Sequence, residues 1–348
     1  MKQILLMIAV VALVGCGKKE DGNTGVVNPN KPSPKAVPEK LIADPIVQKA
    51  IGFQLDKPAG ELTKADLKQV TELNLADYQL TEIPTGLERL TQLKWLNLFN
   101  NQLTSVMGLE KLTQLQGLRL DNNQLTKLPK GLEKLTQLKG LHLGSNQLTD
   151  VKGLEKLTQL KELGLHYNKL TDVKGLEKLT QLTELTLDGN KLTDVKGLEK
   201  LTQLKKLSLG DTQLTNVKGL ENLTQLTDLD LYNNKLTDVK GLEKLTQLKE
   251  LSLGDTQLTN VKGLENLTQL KFLELTGNQL TDVKALEKLT QLMRLDLRGN
   301  QLTSVKGLEN LTQLEGLDLE NNPALTKAQI DQLQKALPNC EIFSNPTK

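Results

Sequence analysis

Residues 182–203 read LTELTLDGNKLTDVKGLEKLTQ, and the same phrase begins again at Leu204. The spacing inside this unit decides the fold. Leu182, Leu185 and Leu187 follow L-x-x-L-x-L, in which a short extended segment turns alternate side chains to one side. Asn190 closes the segment, and its amide has donors and an acceptor for backbone groups that a turn there would leave unpaired. Residues 192–198 then return the chain, with Leu192, Val195 and Leu198 inward and Asp194 and Lys196 outward. No single unit of this kind buries its leucines alone, whereas a stack of them makes one continuous core.

The unit recurs along most of the chain. Aligned on L-x-x-L-x-L-x-x-N-x-L, the asparagine column falls at Asn101, Asn123, Asn146, Asn168, Asn190, Asn234, Asn278, Asn300 and Asn322. Thr212 and Thr256 fill the two gaps, and Tyr78 holds the place in the first copy. The spacing is 22 residues, or 23 where Pro84 or Pro129 accompanies an extra residue, which gives about twelve copies from Val70 to Asn322. Threonine supplies part of what asparagine does, so its two copies are expected to be weaker. A glycine such as Gly197 recurs in the return segment, and because Ala285 replaces it once, the sequence points to close packing there more than to a strict need for positive φ. At ~4.8 Å per strand, twelve parallel strands predict an inner sheet on the order of 55 Å long. Residues 204–225 nearly recur at 248–269, the mark of a copied 44-residue unit, and favour a local binding patch over one that needs every strand.

These residues resemble the leucine-rich-repeat family, and the 22-residue form with N-x-L-T-D-V-K-G-L-E-K-L-T-Q-L resembles its internalin-type class. The resemblance implies an α/β solenoid, a leucine-rich-repeat horseshoe with a parallel concave sheet, 3₁₀-like convex turns and helical caps at both ends. The caps are readable too. Asp44 can cap a helix begun by Pro45, with Ile46, Val47, Ala50 and Ile51 on its apolar side. A second short helix can start at Thr63-Lys64-Ala65-Asp66, and TKADLKQVTEL is similar to the end of the internalin N-terminal cap. Thr326 and Gln329 form a capping box ahead of Ile330, Leu333 and Leu337; Pro338 ends that helix, and Cys340, Ile342 and Phe343 finish the seal. The expected divisions are a cap over 40–69, repeats over 70–322 and a C-terminal cap over 323–348. Many internalins continue into further domains and wall-anchoring signals, so neither their cell-wall attachment nor their receptors carry over.

Residues 1–15 have a positive start at Lys2 and an apolar run from Ile4 to Val14, too short to span a bilayer, and are read as a signal peptide. Leu13-Val14-Gly15-Cys16 resembles a bacterial lipobox, which implies that Cys16 is lipidated and becomes the mature N-terminus. Residues 16–39, rich in Asn, Lys, Pro and Gly, are read as a disordered tether. The expected location is therefore the cell envelope, lipid-anchored, and the outer membrane by default where the cell has two membranes. A formal net charge of +2 over 348 residues provides no field for nucleic acid, and none is expected as a partner. With Cys16 consumed, Cys340 has no intrachain partner and is expected to be a small buried thiol.

Aromatic residues make up 2% of the chain, yet most large side chains fall at the third, fifth and seventh positions of the pattern, where this repeat meets solvent. Trp95, Phe99, Tyr232 and Phe272 sit there with His142 and His166, and Tyr167 is one place further on. Asp228, Asp230, Glu250, Glu274, Asp296 and Asp318 gather around Tyr232 and Phe272, countered near the end by Arg294 and Arg298. The expected site is a concave binding face that prefers a basic or mixed polypeptide. Trp95 and Phe99, with Asn97 and Arg119, form a separate patch. An open shallow face suits no enzyme chemistry, and no nucleophile with a base or phosphate loop is visible. His142, His166 and Asp188 on successive strands are the best of poor metal candidates, so no metal or cofactor is expected, and the chain is expected to be a monomer. Structural and glycan-binding roles in the envelope are the alternatives.

Overall fold

Each copy of the repeat places one three-residue strand at its L-x-L segment. The first six are β1 (Glu72–Asn74), β2 (Trp95–Asn97), β3 (Gly117–Arg119), β4 (Gly140–His142), β5 (Glu162–Gly164) and β6 (Glu184–Thr186). Six more follow as β7 (Lys206–Ser208), β8 (Asp228–Asp230), β9 (Glu250–Ser252), β10 (Phe272–Glu274), β11 (Arg294–Asp296) and β12 (Gly316–Asp318). The C-terminal cap adds β13 (Glu341–Phe343), a strand where the sequence promised only a seal. These belong to a computed structural model that describes residues 41–57 and 61–345. The expected signal peptide over 1–15, Cys16 and the expected tether over 16–39 lie outside the described residues.

The strands form a single sheet in chain order, β1 to β13. All pairs are parallel, and equivalent positions of neighbouring copies face each other, as in Trp95 with Gly117 and Glu184 with Lys206. Because the register never slips, every position of the repeat becomes a column running across the sheet. The inward columns are leucine: Leu182, Leu185, Leu187, Leu192 and Leu198 are all fully buried, as is Val195. Each such side chain contributes about 1.5–3 kcal/mol by leaving water.

The asparagine column stitches neighbouring copies together. Asn190 Nδ2 donates to its own copy at Leu187 O (2.8 Å) and to the preceding copy at Leu165 O (2.9 Å). Its Oδ1 accepts the Leu170 N–H of that preceding copy at 3.0 Å. At Thr212 the hydroxyl lies 2.9 Å from Leu209 O and 2.6 Å from Asn234 Oδ1. It makes neither link to the copy before it, and among the described residues no side chain accepts from the Leu192 N–H. Thr256 repeats this arrangement with Leu253 O and Asn278 Oδ1.

The glycine column is closely packed in some copies, a methyl group on Gly197 coming within 2.9 Å of Val173 O, but packing is not what every copy shares. Gly153 has φ +107°, yet a methyl group on it would meet nothing within 4 Å. The left-handed backbone is therefore what the position requires. The N–H of each such glycine donates to the glutamate two residues on, as Gly197 does to Glu199 Oε2 at 2.8 Å. Bonds of this kind, with backbone N–H groups of their own residue and of Gly108 or Gly131, hold the Glu110 and Glu133 carboxyls below the usual range. Where alanine stands instead, the chain takes another path: Val283 has φ −132° and the turn starts early, as a 3₁₀ segment over Lys284–Leu286. Other copies have 3₁₀ turns at Leu87–Arg89, Leu109–Lys111, Leu132–Lys134, Leu154–Lys156 and Leu308–Asn310, with simple turns in the copies between.

The caps close both ends of the core. Asp44 accepts the N–H of Ile46 and Val47 at the start of α1 (Pro45–Gln54), whose Val47, Ala50 and Ile51 are buried and whose body packs on β1. Thr63 and Asp66 form a reciprocal capping box for α2 (Lys64–Gln69). Lys57 reaches Asp66 at 2.5 Å and, with Thr63, brings its carboxyl down to about 2. Thr326 and Gln329 do the same capping for α3 (Lys327–Ala336), which buries Ile330 and Leu333. Behind it Cys340 is buried, and burial pushes its thiol up to about 11.

Thr212→Asn restores the missing links to Leu187 O and Leu192 N–H. It is expected to stabilise the fold by about 1 kcal/mol, read as a higher midpoint in urea denaturation. A midpoint equal to or below that of the native chain would count against the asparagine column as the link between copies.

Candidate ligand-binding face

The third, fifth and seventh columns face solvent, and the large residues placed on them stand there. Trp95, Phe272 and Tyr167 are 50%, 37% and 57% exposed, while Phe99, His142, His166, Tyr232, Asp230, Glu274 and Asp296 are half-buried. The face divides into two grooves. One of about 1100 Å³ runs from β6 to β13 and brings together Asp230, Tyr232, Phe272, Glu274 and Asp296. The other, of about 870 Å³, lies between α1 and β1–β4 and gathers Trp95, Arg119 and His142. His166 and Tyr167 line neither groove.

The larger groove is acidic for a reason the column order makes clear. Its fifth position reads Ser208, Asp230, Ser252, Glu274, Asp296 and Asp318 on successive strands. Asp230 Oδ1 accepts the Tyr232 N–H at 2.9 Å, an Asx turn that Asp296 and Asp318 also make with the residue two further on. Part of the acid therefore serves the backbone. Arg298 lies 3.5 Å from Asp296 and 3.8 Å from Asp318 and answers the charge at that end. Among the described residues no lysine or arginine comes within 4.0 Å of the carboxylates of Asp228, Asp230, Glu250 or Glu274. Burial, with the charge of Asp188 beyond Ser208, holds the Asp230 carboxyl above its ordinary range. Tyr232 is held upright at its far end, where its hydroxyl donates to Asp255 Oδ2 at 2.6 Å, a bond that raises the phenol's pKa.

The histidines do not converge with Asp188. The His166 ring folds back over Gly144, so that a methyl group there would lie 2.1 Å from it, and it stacks edge-on against Tyr167 at 5.8 Å. Asp188 turns the other way, accepting from Ser208 and from the Gly210 N–H. Among the described residues no three metal-ligating side chains come together. Tyr167 also occupies a column with φ near +50°, which other copies fill with Asn, Asp, Ser or Gly, so its exposed ring is held at a cost in backbone strain.

Sequence reasoning missed the glycine that accompanies most of these rings. Trp95 lies over Gly117, His142 beside Gly164, Tyr167 over Gly189 and Tyr232 beside Gly254. In each case the neighbouring strand has no side chain at the position the ring covers. It also missed Phe53, 63% exposed on α1, and took Phe343 for part of the C-terminal seal, whereas its ring is 48% exposed on β13; both belong to caps that lie outside the repeat alignment.

Asp230→Asn keeps the Asx turn, since Asn97 makes the same bond to Phe99 N at 3.0 Å, and removes a charge that burial disfavours. A carboxyl raised in the folded state costs stability above its pKa and costs none once protonated. The variant should therefore melt roughly 1–3 °C above the native chain at pH 7, with the gap closing as pH falls through the raised Asp230 value. A gap that is absent, or that does not depend on pH, would oppose this assignment.

The fold and its face can now be set beside known proteins. A family model described as leucine-rich repeats in two copies matches residues 91–134, 113–156, 136–178, 158–200, 202–244, 246–288 and 290–335. Comparison with curated protein sequences returns no significant match. Among solved structures, the chain is similar to an internalin from Listeria monocytogenes, with 31% identity, TM-score 0.83, and coverage of 91% of this chain and 95% of that one. It is also similar to a leucine-rich-repeat protein of Leptospira interrogans, at 30% identity and TM-score 0.63, covering 81% and 86%. A third likeness, at 25% identity and TM-score 0.60, is to the ectodomain of a plant membrane receptor kinase from Arabidopsis thaliana, solved in complex with Casparian strip integrity factor 2. It covers 81% of this chain and 42% of that one. This fold is typical of protein-interaction modules. The chain belongs to the leucine-rich-repeat family, as an internalin-like member.

Proposed function

We propose that the protein is a lipid-anchored recognition module of the bacterial cell envelope that holds a basic polypeptide segment along its concave face and performs no chemistry of its own. The observation that carries the reading is the set of carboxylates at Asp228, Asp230, Glu250 and Glu274, none with a lysine or arginine within 4.0 Å among the described residues, around the half-buried ring of Tyr232 and the exposed ring of Phe272. Clustered acid that outnumbers its counter-charges, Lys206 and Arg294, is repaid when a lysine or arginine side chain arrives, and the rings add contact area at small entropic cost. The plant receptor ectodomain of similar fold was solved with a partner bound, which is support by likeness of fold. The partner lies on a host or neighbouring cell surface in the first reading. A periplasmic partner makes the protein structural.

Two experiments test this. Purified chain, and a variant with Asp228→Asn, Asp230→Asn, Glu250→Gln and Glu274→Gln, are used to capture proteins from envelope and host-surface extracts, identified by mass spectrometry. A partner kept by the native chain, lost by the folded variant and released by salt is the expected outcome. Equal capture by both chains would sink the acidic-groove reading. For the anchor, cells fed labelled palmitate should label the native protein, and Cys16→Ala should be unlabelled and absent from membranes. Equal labelling of both would remove Cys16 as the attachment point.

A further inference from the structure

The groove beside α1 differs in kind from the acidic one. Trp95 forms its floor. The six-membered ring of the indole lies over Gly117, where a methyl group would come within 1.9 and 2.0 Å of Cε3 and Cζ3. Gly117 is thus what allows the ring to lie down on the sheet. One side rests on backbone, the other is open, and Phe53 on α1 lines the same groove.

The polar groups around this floor are already fixed. The Arg119 guanidinium lies on the Phe99 ring, 4.6 Å from its centroid, with Nε bound to Asp121 at 3.0 Å. Asp121 is 5% exposed and also takes the Gly144 N–H at 2.9 Å, so it is a rigid anchor. Only the two outer nitrogens of Arg119 remain to be used. Asn97 and Asn74 each spend Oδ1 on a turn, with Phe99 N at 3.0 Å and Ala76 N at 3.1 Å. Their NH₂ groups are left for a ligand. Asp121 balances Arg119, and the carboxylates of Glu72 and Asp77 on the same lining leave the groove with acceptors and a small acidic excess.

A flat apolar ring, fixed fork-like donors and carboxylate acceptors at Glu72 and Asp77 match a ligand with one apolar C–H face and hydroxyls around its rim, and the carboxylates disfavour an acidic one. That ligand is a pyranose ring. Its C–H groups meet the negative face of the indole, and its hydroxyls meet donors whose freedom is already lost. We propose that this groove binds a short neutral oligosaccharide, with one ring stacked on Trp95 and hydroxyls held by Arg119 and the amides of Asn74 and Asn97. About 870 Å³ lies in the range of small-ligand sites. The inference does not rest on the polypeptide reading, because the two grooves share no residue.

Trp95 is the only tryptophan in the chain, so its fluorescence reports on this groove alone. The full chain is screened on an array of neutral, sialylated and sulfated glycans, beside Trp95→Ala and Arg119→Lys variants whose melting midpoints confirm folding. The expected result is capture of neutral glycans by the native chain and loss with Trp95→Ala. The matching free trisaccharide should then shift Trp95 emission saturably, with binding about tenfold weaker in Arg119→Lys. The Asp230→Asn and Glu274→Gln changes in the other groove should leave this titration unchanged. Capture of acidic glycans alone, capture of none, or undiminished capture by Trp95→Ala overturns the proposal.

Discussion

Strands of three residues, stacked in parallel, gain too little from their own ladder bonds to hold a chain in register, and the buried asparagine amide supplies the rest. Each Asn190-type side chain reaches its own copy and the one before it through four hydrogen bonds at once, and the amide itself is buried. The bookkeeping is nearly complete: among the described residues, Thr276 Oγ1 is the one buried side-chain polar atom without a partner. Register in turn makes columns, and columns determine which side chains stand beside each other on the concave face. The grooves, their charge and their rings are all consequences of that lock.

The face is built by omission as well as by addition. A large ring on a parallel sheet normally competes with the side chain at the same position one strand away, about 4.8 Å distant. Gly117, Gly164, Gly189 and Gly254 remove that competitor. The rings can then lie against backbone, which presents a broad surface to solvent without leaving it free to move.

How far the amino-acid sequence foretold this differs from feature to feature. The solenoid, its parallel order and its leucine core were readable because a fixed period and the L-x-x-L-x-L spacing admit one geometry. The caps were readable from Asp44, Thr63 and Thr326, where a single side chain meets free helix N–H groups. The glycine column was misread, because one alanine suggested tolerance where the backbone had in fact taken a different turn at Val283. Its partner glutamates were not singled out, since a bond spanning two residues recurs with the same period as everything else in the copy. At the site, the gathering of acid around Tyr232 and Phe272, with Arg298 against it near its end, was legible, whereas the company His166 keeps was not. His166 belongs with Tyr167, and Asp188 with Ser208, for reasons of side-chain direction that spacing does not carry.

The copied unit has one more consequence. Ser208 with Gly210 on one side of Asp230 and Tyr232, and Ser252 with Gly254 on the other, repeat one pair of small residues two strands apart, or roughly 10 Å. Their surroundings differ: Gly210 lies against Asp188 and Asp230, Gly254 against Tyr232 and Glu274. Copying a repeat therefore does not copy a site, because the strands on either side decide what each pair of small residues faces.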